Sequence, residues 1–311
     1  MRSIFHTHEA GNETAELARR CNFPPPGKDV PYHVAVSGGA DSLALLVLSA
    51  YSLTGVVAWH VDHGLRPESA KEALVVEEAA RRFGVDFRSV GVDVRAGPNL
   101  EERARLARFQ VLPAGIATGH TADDQAETVL LNMMRGAGSR GLAAMAPGPG
   151  KPILGIRRHE TKALCDAWGL EPVSDPTNSD LSLRRNALRH LVVPKLGEIF
   201  ERDPVPILCA QADLLREESE FLDQMANAVD AADCRELGGL HPVLARRALR
   251  GWLEAASERR ISRAETERAL AVAKGKAVGA QLGGGWEVRR SGMRLRCQLN
   301  ANPSRDVAPA D

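Results

Sequence analysis

The sequence predicts an α/β fold, a doubly wound parallel sheet, with a second, smaller, mainly helical domain behind it. In the first half of the chain, short apolar, β-branched segments alternate with Ala- and Leu-rich or amphipathic segments. A strand, a glycine turn and a helix follow directly upon each other at 32–51. From 207 onward the spacing of apolar residues is mainly helical. We therefore expect three parts: an N-terminal extension at 1–30, an α/β domain at 31–203 and a helical domain at 204–311.

The α/β domain is assigned from four strand–helix units and one further pair. The predicted strands are short apolar runs at 32–36, 55–61, 85–92, 114–118 and 151–156. The predicted helices, rich in Ala, Leu and charged residues, fall at 40–51, 69–83, 100–112, 119–135 and 161–168. A short helix at 14–20 and a proline-rich linker precede them. Strands that alternate with helices in this way are typical of a parallel sheet.

The second domain is predicted to contain helices at 207–234, 242–256 and 262–273, followed by a small β-hairpin at 278–299. After residue 240 the chain carries 12 Arg and 2 Lys against 5 Glu and 2 Asp, a surplus of seven positive charges, although the whole chain has net charge zero. A basic domain on a neutral protein suggests a polyanionic partner such as RNA. The alternative is a solvated helical surface without a partner.

Composition excludes several classes of protein. Of the 311 residues, 26% are charged and 44% are hydrophobic, which is typical of a globular protein, and no apolar run approaches the ~18 residues of a membrane span. The N-terminus does not resemble a signal peptide. The five cysteines are scattered without a C-x-x-C pair, which argues against a metal ribbon or a disulfide framework. We expect a cytoplasmic protein without a membrane segment, and the oligomeric state, monomer or homodimer, stays open.

The glycine turn at 37–42 reads Ser-Gly-Gly-Ala-Asp-Ser and predicts a phosphate site. Its glycines let the backbone approach a ligand, and the N-terminus of the following helix favours an anion. Asp41 would be unfavourable beside a phosphate unless a cation such as Mg²⁺ bridged the two. Two other glycine motifs fail: 148–152 has Pro where a Walker A loop needs Ser or Thr, and 136–141 follows a helix instead of a strand. The alternative for 37–42 is an ordinary strand–helix turn.

Polar residues also follow two other predicted strands, at the sheet edge where parallel α/β folds bind ligands. The second strand ends in the run His60, Val61 and Asp62. In the segment 119–128, Asp124 and Glu127 are three residues apart and His120 is four residues before Asp124, so one helical face would present an imidazole and two carboxylates. This cluster could bind Mg²⁺, hold a cationic substrate or accept a proton from an amine. Alternatively, the acids only stabilise the first turn of the helix.

Four arginines are candidates for contact with phosphate or RNA. Arg135 and Arg140 border or lie within a glycine-rich, basic segment that extends to 145. Arg185 and Arg189 are four residues apart on a predicted helix, so they share a face. The guanidinium group binds phosphate oxygens through two parallel hydrogen bonds, which makes arginine suited to this partner. A solvated charged helix is the alternative for the second pair.

Five motifs occur in a fixed order between residue 31 and about residue 200. They lie at 37–42, 60–66, 119–128, 135–142 and 175–189. The first resembles the loop of the N-type ATP pyrophosphatases, the PP-loop ATPases with an adenine nucleotide alpha hydrolase-like fold. All five together resemble the tRNA(Ile)-lysidine synthase family. The resemblance implies a ligase: ATP adenylates the wobble cytidine of a tRNA(Ile) with a CAU anticodon, the ε-amine of free L-lysine attacks C2 of that base, and lysidine, AMP and pyrophosphate form.

The resemblance also implies roles for individual residues. Catalytic roles fall to Asp41, which would hold Mg²⁺, and to Asp124 and Glu127, which would receive the lysine ammonium and could take its proton. ATP would contact groups at two strand ends: Ser37, Gly38, Gly39, Ala40, Asp41, Ser42, His60, Val61 and Asp62. The tRNA would contact Arg135, Arg140, Arg185 and Arg189.

Two features depart from the family pattern. Its Arg-Asn-Arg-x-Arg sequence occurs at 185–189 with Ala187 in place of one arginine. The chain is also shorter than the longest family members, so tRNA recognition would rest on 207–311. The alternatives are another PP-loop tRNA-modifying enzyme of the thiolase type, some of which need paired cysteines, and a non-catalytic nucleotide- or RNA-binding protein.

Overall fold

The computed structural model describes residues 10–25, 30–62, 69–92, 103, 107, 110–173 and 176–300. Most of the predicted helix at 100–112 and parts of the motifs at 60–66 and 175–189 lie outside these residues. The chain divides into two compact units, Met1–Leu215 and Arg216–Asp311. The domain limits given above stay predictions. In the part of the chain that is described, no helix combines the length and apolarity needed to cross a bilayer.

The elements of the first unit, in chain order, are α1 (Ala10–Arg19), β1 (Tyr32–Ala35), α2 (Ala40–Ser52), β2 (Val56–Asp62), α3 (Ser69–Phe83), β3 (Asp86–Gly91), α4 (Ala122–Met134), α5 (Ser139–Leu142), α6 (Arg158–Ala167), α7 (Arg184–Ala187) and α8 (Val193–Phe200). A 3₁₀ turn (Pro176–Ser179) precedes α7, and a π-helical turn (Leu188–Val192) joins α7 to α8. The long helix α9 (Pro204–Asn227) follows. The remaining elements are α10 (Cys234–Gly239), α11 (Pro242–Ser257), α12 (Arg263–Ala273), β4 (Gly279–Gln281), β5 (Trp286–Ser291) and β6 (Arg294–Leu299).

A parallel sheet in the order β1–β2–β3 forms the centre of the first unit. Val34 pairs with Ala58, which pairs in turn with Phe87. On the other side of β1, Ala117 forms an isolated parallel bridge with Val34, and its N–H donates to His33 O at 2.9 Å. After β3 the chain therefore crosses to the opposite side of β1. This reversal confirms the predicted doubly wound parallel class and places a crevice at the carboxyl end of β1.

The predicted strand at 114–118 is reduced to the bridge at Ala117. Gly115 adopts a left-handed conformation with φ of +75°, and the N–H of the next residue closes a turn onto Pro113 O at 3.2 Å. The chain is therefore extended too briefly to form a ladder. A glycine in a short apolar run can provide such a turn, and the apolar pattern does not reveal it.

The predicted strand at 151–156 is wrong, because successive turns take its place. The N–H of Leu154 donates to Lys151 O at 3.3 Å, and the N–H of Ile156 donates to Ile153 O at 2.9 Å. All three apolar side chains of this segment are nevertheless buried. Burial alone produced the apolar pattern, and burial is compatible with turns as well as with a strand.

Helix α2 lies at the centre of the hydrophobic core. Every residue from Ser42 to Ser49 is buried, so this helix is apolar nearly all round, as expected of a fully enclosed element. Helix α1 packs into the same core through Leu17, and Thr14 Oγ1 accepts a hydrogen bond of 3.0 Å from Trp168 Nε1. The segment predicted as a short helix at 14–20 is thus part of the structure that holds α2 in place.

The second unit combines helices with a small antiparallel sheet in the order β4–β5–β6. Its core contains Leu249 and Leu253 from α11 and Val288 and Leu295 from the sheet. The predicted hairpin at 278–299 is confirmed and gains a third strand. This agrees with the prediction that a mainly helical second part follows the α/β part.

Candidate active site

The turn between β1 and α2 is closed by its own two serines. The N–H of Ser37 donates to Ser42 Oγ at 3.1 Å, and Ser42 Oγ donates to Gly39 O at 2.8 Å. The hydroxyl of Ser42 therefore shapes the loop, whereas Ser37 is exposed. Gly39 caps α2 without a side-chain hydrogen bond, and its carbonyl accepts from the N–H groups of Ser42 and Leu43, both at 3.0 Å. The N–H groups that remain at the start of the helix are those of Ala40 and Asp41. The arrangement is that of an anion site behind a glycine turn.

Two glycines make this loop geometry possible. Gly38 adopts a left-handed conformation with φ of +87°, and its carbonyl accepts a hydrogen bond of 3.0 Å from the N–H of Val173. Gly119 lies so close to the first turn of α2 that an added Cβ would stand 2.9 Å from Asp41 O and 3.2 Å from Ser42 Cα. Only glycine fits there, because both contacts are with backbone. Gly119 was part of a sequence motif but had no predicted role.

Three of the residues predicted to contact ATP lie at the end of β2, which pairs with β1. His60 is buried, with 1% of its surface exposed, and its Nδ1 donates to Val36 O at 3.0 Å. This hydrogen bond holds the backbone of Val36, the residue just before the glycine loop, in place. Val61 and Asp62 are partly exposed at the end of the strand. His60 is thus placed beneath the loop, and the next two residues lie at the sheet edge.

Helix α4 presents the two predicted carboxylates at its start. Thr121 caps the helix, and its N–H and hydroxyl both donate to Asp124 Oδ2, at 2.8 and 2.9 Å. Glu127, one turn further, keeps only 3% of its side chain exposed. His120 lies outside the helix, with its Nδ1 2.7 Å from Thr118 Oγ1. The prediction that His120 shares one helical face with the two carboxylates is therefore wrong. The cause is the cap, which starts the helix after the histidine.

Arg158, at the start of α6, contacts the carboxylates of all three residues that were predicted to be catalytic. Its Nη2 lies 3.0 Å from Asp124 Oδ1, its Nη1 lies 3.1 Å from Glu127 Oε1, and its Nε lies 3.5 Å from Asp41 Oδ2. Asp41 Oδ1 also accepts a hydrogen bond of 2.5 Å from Thr161. The anion loop and the acidic pair therefore share one site.

Arg158 was missed in the sequence analysis, although the sequence contains a signal. Arg157 and Arg158 stand at the N-terminus of a helix, where the helix dipole disfavours a cation. Arginines there need anionic partners from elsewhere in the fold. Arg157 has them too, because it pairs with Asp123 at 3.0 Å and with Asp203.

The surroundings move the pKa values of two carboxylates in opposite directions. Burial raises the pKa of Asp41, and the hydrogen bond from Thr161 and the charge of Arg158 offset this only in part. Burial acts in the same direction on Asp124, but Arg158, the amide of Thr121 and Arg185 outweigh it and hold that pKa below its usual value. Asp124 is therefore a fixed anion at neutral pH, suited to hold a cation.

Two of the four predicted RNA-binding arginines belong to this cluster. Arg185 Nε lies 2.7 Å from Glu127 Oε2, and its Nη2 lies 3.2 Å from Asp124 Oδ1. Arg189 is partly buried nearby, and burial together with the charge of Arg158 lowers its pKa. Arg185 lies in α7 and Arg189 in the π-helical turn.

The other two predicted arginines lie away from the cluster. Arg135 ends α4, eleven residues after Asp124, which at about 1.5 Å per residue places the two backbones about 16 Å apart. Arg140 lies in the short helix α5. Both side chains are exposed. Their position on the surface is compatible with contact to a partner larger than a nucleotide.

The sequence of this chain matches two known domain families and a set of known enzymes. Residues 14–196 match the family described as a PP-loop domain, and residues 233–296 match the TilS substrate binding domain. A tRNA(Ile)-lysidine synthase of Nocardia farcinica is 40% identical over 244 residues, 73% of this chain and 77% of the relative. The tRNA(Ile)-lysidine synthase of Rhodococcus opacus is 41% identical, over 73% of this chain and 74% of the relative. That of Mycobacterium leprae is 39% identical, over 72% of this chain and 75% of the relative.

A solved structure supports the fold. The U34-tRNA thiolase NcsA of Methanococcus maripaludis superposes with a TM-score of 0.51 at 17% identity, over 68% of this chain and 80% of that protein. At this identity the likeness extends to the architecture alone. The sequence relatives are more specific, and they favour lysidine formation over the thiolase alternative. The chain therefore belongs to the tRNA(Ile)-lysidine synthase family.

Proposed function

We propose that this protein is a ligase that joins free L-lysine to C2 of the wobble cytidine in a tRNA(Ile) with a CAU anticodon, and that ATP is converted to AMP and pyrophosphate. The observation that carries the proposal is the contact of Arg158 with Asp41 on one side and with Asp124 and Glu127 on the other. An anion loop and a cation-binding pair lie side by side. The reaction needs such a pairing, since an adenylate and an amine must meet.

ATP would bind with its phosphates at the start of α2, where the cap residue Gly39 has no side chain. The N–H groups of the first turn and the loop 37–39 would hold the pyrophosphate portion, and Ser42 would keep the loop closed. Val61 and Asp62, at the end of β2, would border the adenosine. The oxygen on C2 of the cytidine attacks the α-phosphorus, and pyrophosphate leaves.

Asp41 is suited to Mg²⁺ bound jointly with the substrate. This ion commonly takes one or two carboxylates together with phosphate oxygens and waters. Asp41 stands at the start of α2, and its Oδ2 has its closest described ion-pair contact at 3.5 Å, which leaves that oxygen available. Among the described residues no group of three His, Cys, Asp or Glu side chains could hold a metal alone. When bound, Mg²⁺ would neutralise phosphate charge.

Asp124 and Glu127 would bind the ε-ammonium of lysine. The low pKa of Asp124 keeps it charged for this purpose. The ammonium must lose a proton to one of the two carboxylates or to water before its nitrogen can attack C2. The C2–N bond then forms, and AMP departs with the oxygen that was on C2.

The tRNA would be held by arginines of both units. Arg135 and Arg140 are exposed for phosphate contacts, and the surplus of seven positive charges after residue 240 supplies a second basic region. A wobble base in an anticodon loop is already unpaired, so little energy is needed to bring it into a site. We also infer a cytoplasmic location, which the five free thiols support.

The test is transfer of labelled lysine to tRNA. The full chain is incubated with ATP, Mg²⁺, labelled lysine and tRNA(Ile) with a CAU anticodon, with initiator tRNA as the control. Label should appear in the first tRNA, and pyrophosphate should be released with it. Absence of label from tRNA(Ile), or equal labelling of the initiator tRNA, contradicts the proposal.

Asp124→Asn should reduce lysine transfer selectively. Loss of one charged hydrogen-bond partner weakens lysine binding roughly 10- to 150-fold, from the about 1.5–3 kcal/mol that such a bond contributes. The measurement is the KM for lysine in the transfer assay. Asp166→Asn is the matched control, because Asp166 is exposed on α6. An unchanged KM for lysine in Asp124→Asn would remove that residue from the amine site.

A further inference from the structure

Every carboxylate oxygen of the acidic pair proposed to bind lysine already has a hydrogen-bond or ion-pair partner. Both oxygens of Glu127 face a guanidinium: Oε1 that of Arg158 and Oε2 that of Arg185. Asp124 Oδ1 faces the same two arginines, at 3.0 and 3.2 Å, and its Oδ2 accepts from Thr121. Each oxygen of Glu127 can accept a further hydrogen bond, but the side chain is only 3% exposed and both of its oxygens face an arginine. A cationic substrate that enters from solvent must therefore displace one of the arginines.

Simple departure of an arginine would be costly. The side chains of Asp124 and Glu127 are only 15% and 3% exposed, so an uncompensated charge would remain buried. Removing one partner of a buried ion pair is strongly destabilising, because the other charge stays buried without compensation. Exchange of one cation for another avoids this cost, provided that the displaced guanidinium finds a new anion.

Arg185 is the exchangeable partner. Its side chain is 41% exposed, whereas that of Arg158 is 19% exposed. Arg158 also contacts Asp41, and its backbone N–H donates to Asp123 at 2.8 Å. Arg185 lies on the four-residue helix α7, and its described side-chain partners are Asp124 and Glu127.

We propose that Arg185 occupies the substrate ammonium site until tRNA binds, and that it then moves to a tRNA phosphate as lysine takes its place. The proposal rests on the proposed function. It makes the binding of tRNA and of lysine mutually dependent: each ligand tightens the other by the same factor, because the coupling is reciprocal. Lysine is thereby kept out of the site until the base that it modifies is present.

The test is binding of labelled lysine to the full-length protein by equilibrium dialysis, without ATP so that no turnover occurs. Wild-type protein should bind lysine about 5- to 150-fold more tightly when tRNA(Ile) with a CAU anticodon is present. Arg185→Gln should bind lysine equally well with and without tRNA. Arg184→Gln is the matched control, because Arg184 is exposed on the same helix and has no ion-pair partner among the described residues; it should keep the wild-type coupling.

Equal lysine affinity of the wild type with and without tRNA would overturn the proposal, and this arm needs no variant. Coupling that persists in Arg185→Gln would overturn it as well. If either result occurs while label is still transferred to tRNA, the exchange fails and lysidine formation stands. If the protein binds no lysine either with or without tRNA, and transfers no lysine to tRNA, both proposals are wrong.

Discussion

Gly119→Ala is expected to disable the phosphate loop through a single methyl group. The Cβ would stand 2.9 Å from Asp41 O, 3.1 Å from Asp41 C and 3.2 Å from Ser42 Cα. All three atoms belong to the backbone of the first turn of α2, so no side-chain rotation relieves the clash. The start of the helix must move, and the groups proposed to hold pyrophosphate move with it.

The size of the effect follows from the displacement. Restoring an ordinary contact of about 3.4 Å requires a shift of about 0.5 Å. Since a misplacement of about 1 Å can cost about 10²-fold in rate, half of it should cost about tenfold. Overpacking should also reduce the free energy of unfolding by about 1–3 kcal/mol.

The assay is tRNA-dependent pyrophosphate release as a function of ATP concentration, combined with urea denaturation. Gly91→Ala is the control, because a Cβ at Gly91 would meet no atom within 4 Å. We expect kcat/KM for ATP to fall about tenfold in Gly119→Ala and to stay unchanged in the control. Wild-type kcat/KM in Gly119→Ala would refute the argument that this close approach positions the loop.

Two further predictions concern stability. Arg158→Met should lower the free energy of unfolding in urea by about 3–5 kcal/mol, because Glu127 is left buried with one cation fewer; a loss below about 1 kcal/mol would show that the cluster is not held by this arginine. Glu265→Gln should destabilise the second unit by about 1.5–3 kcal/mol at pH 7, because the carboxylate accepts from the N–H groups of Ser262 and Gly283 at 2.8 and 2.7 Å and from Arg259. Burial alone would raise the pKa of Glu265, but these bonds hold it well below its usual value, so the stabilisation is full above about pH 5 and is lost as the pH falls further. The difference in unfolding free energy between wild type and variant should therefore shrink between about pH 5 and pH 3, and a constant difference would contradict the assignment.

Local features of the sequence were sufficient for the first part of the fold. The strand before the glycine turn, the turn and α2 were predicted nearly to the residue, because β-branched residues, glycines and an Ala- and Leu-rich run each act over a few positions. The second half of the α/β part was predicted less well. At 151–156 an apolar run is buried in turns, and periodicity cannot distinguish that from a buried strand.

The sequence by itself determined the parallel α/β class, the phosphate loop, and Asp124 and Glu127 as an acidic pair on one helix. Only the tertiary structure decided what that pair contacts. Arg158 and Glu127 are 31 residues apart, and Arg185 and Glu127 are 58 apart. Such pairs cannot be recognised from the periodicity of the sequence, because they form only when the turns and helices between them bring distant segments to one sheet edge. The balance of charge at the site is therefore a property of the fold, set by the cost of burying a carboxylate without a cation.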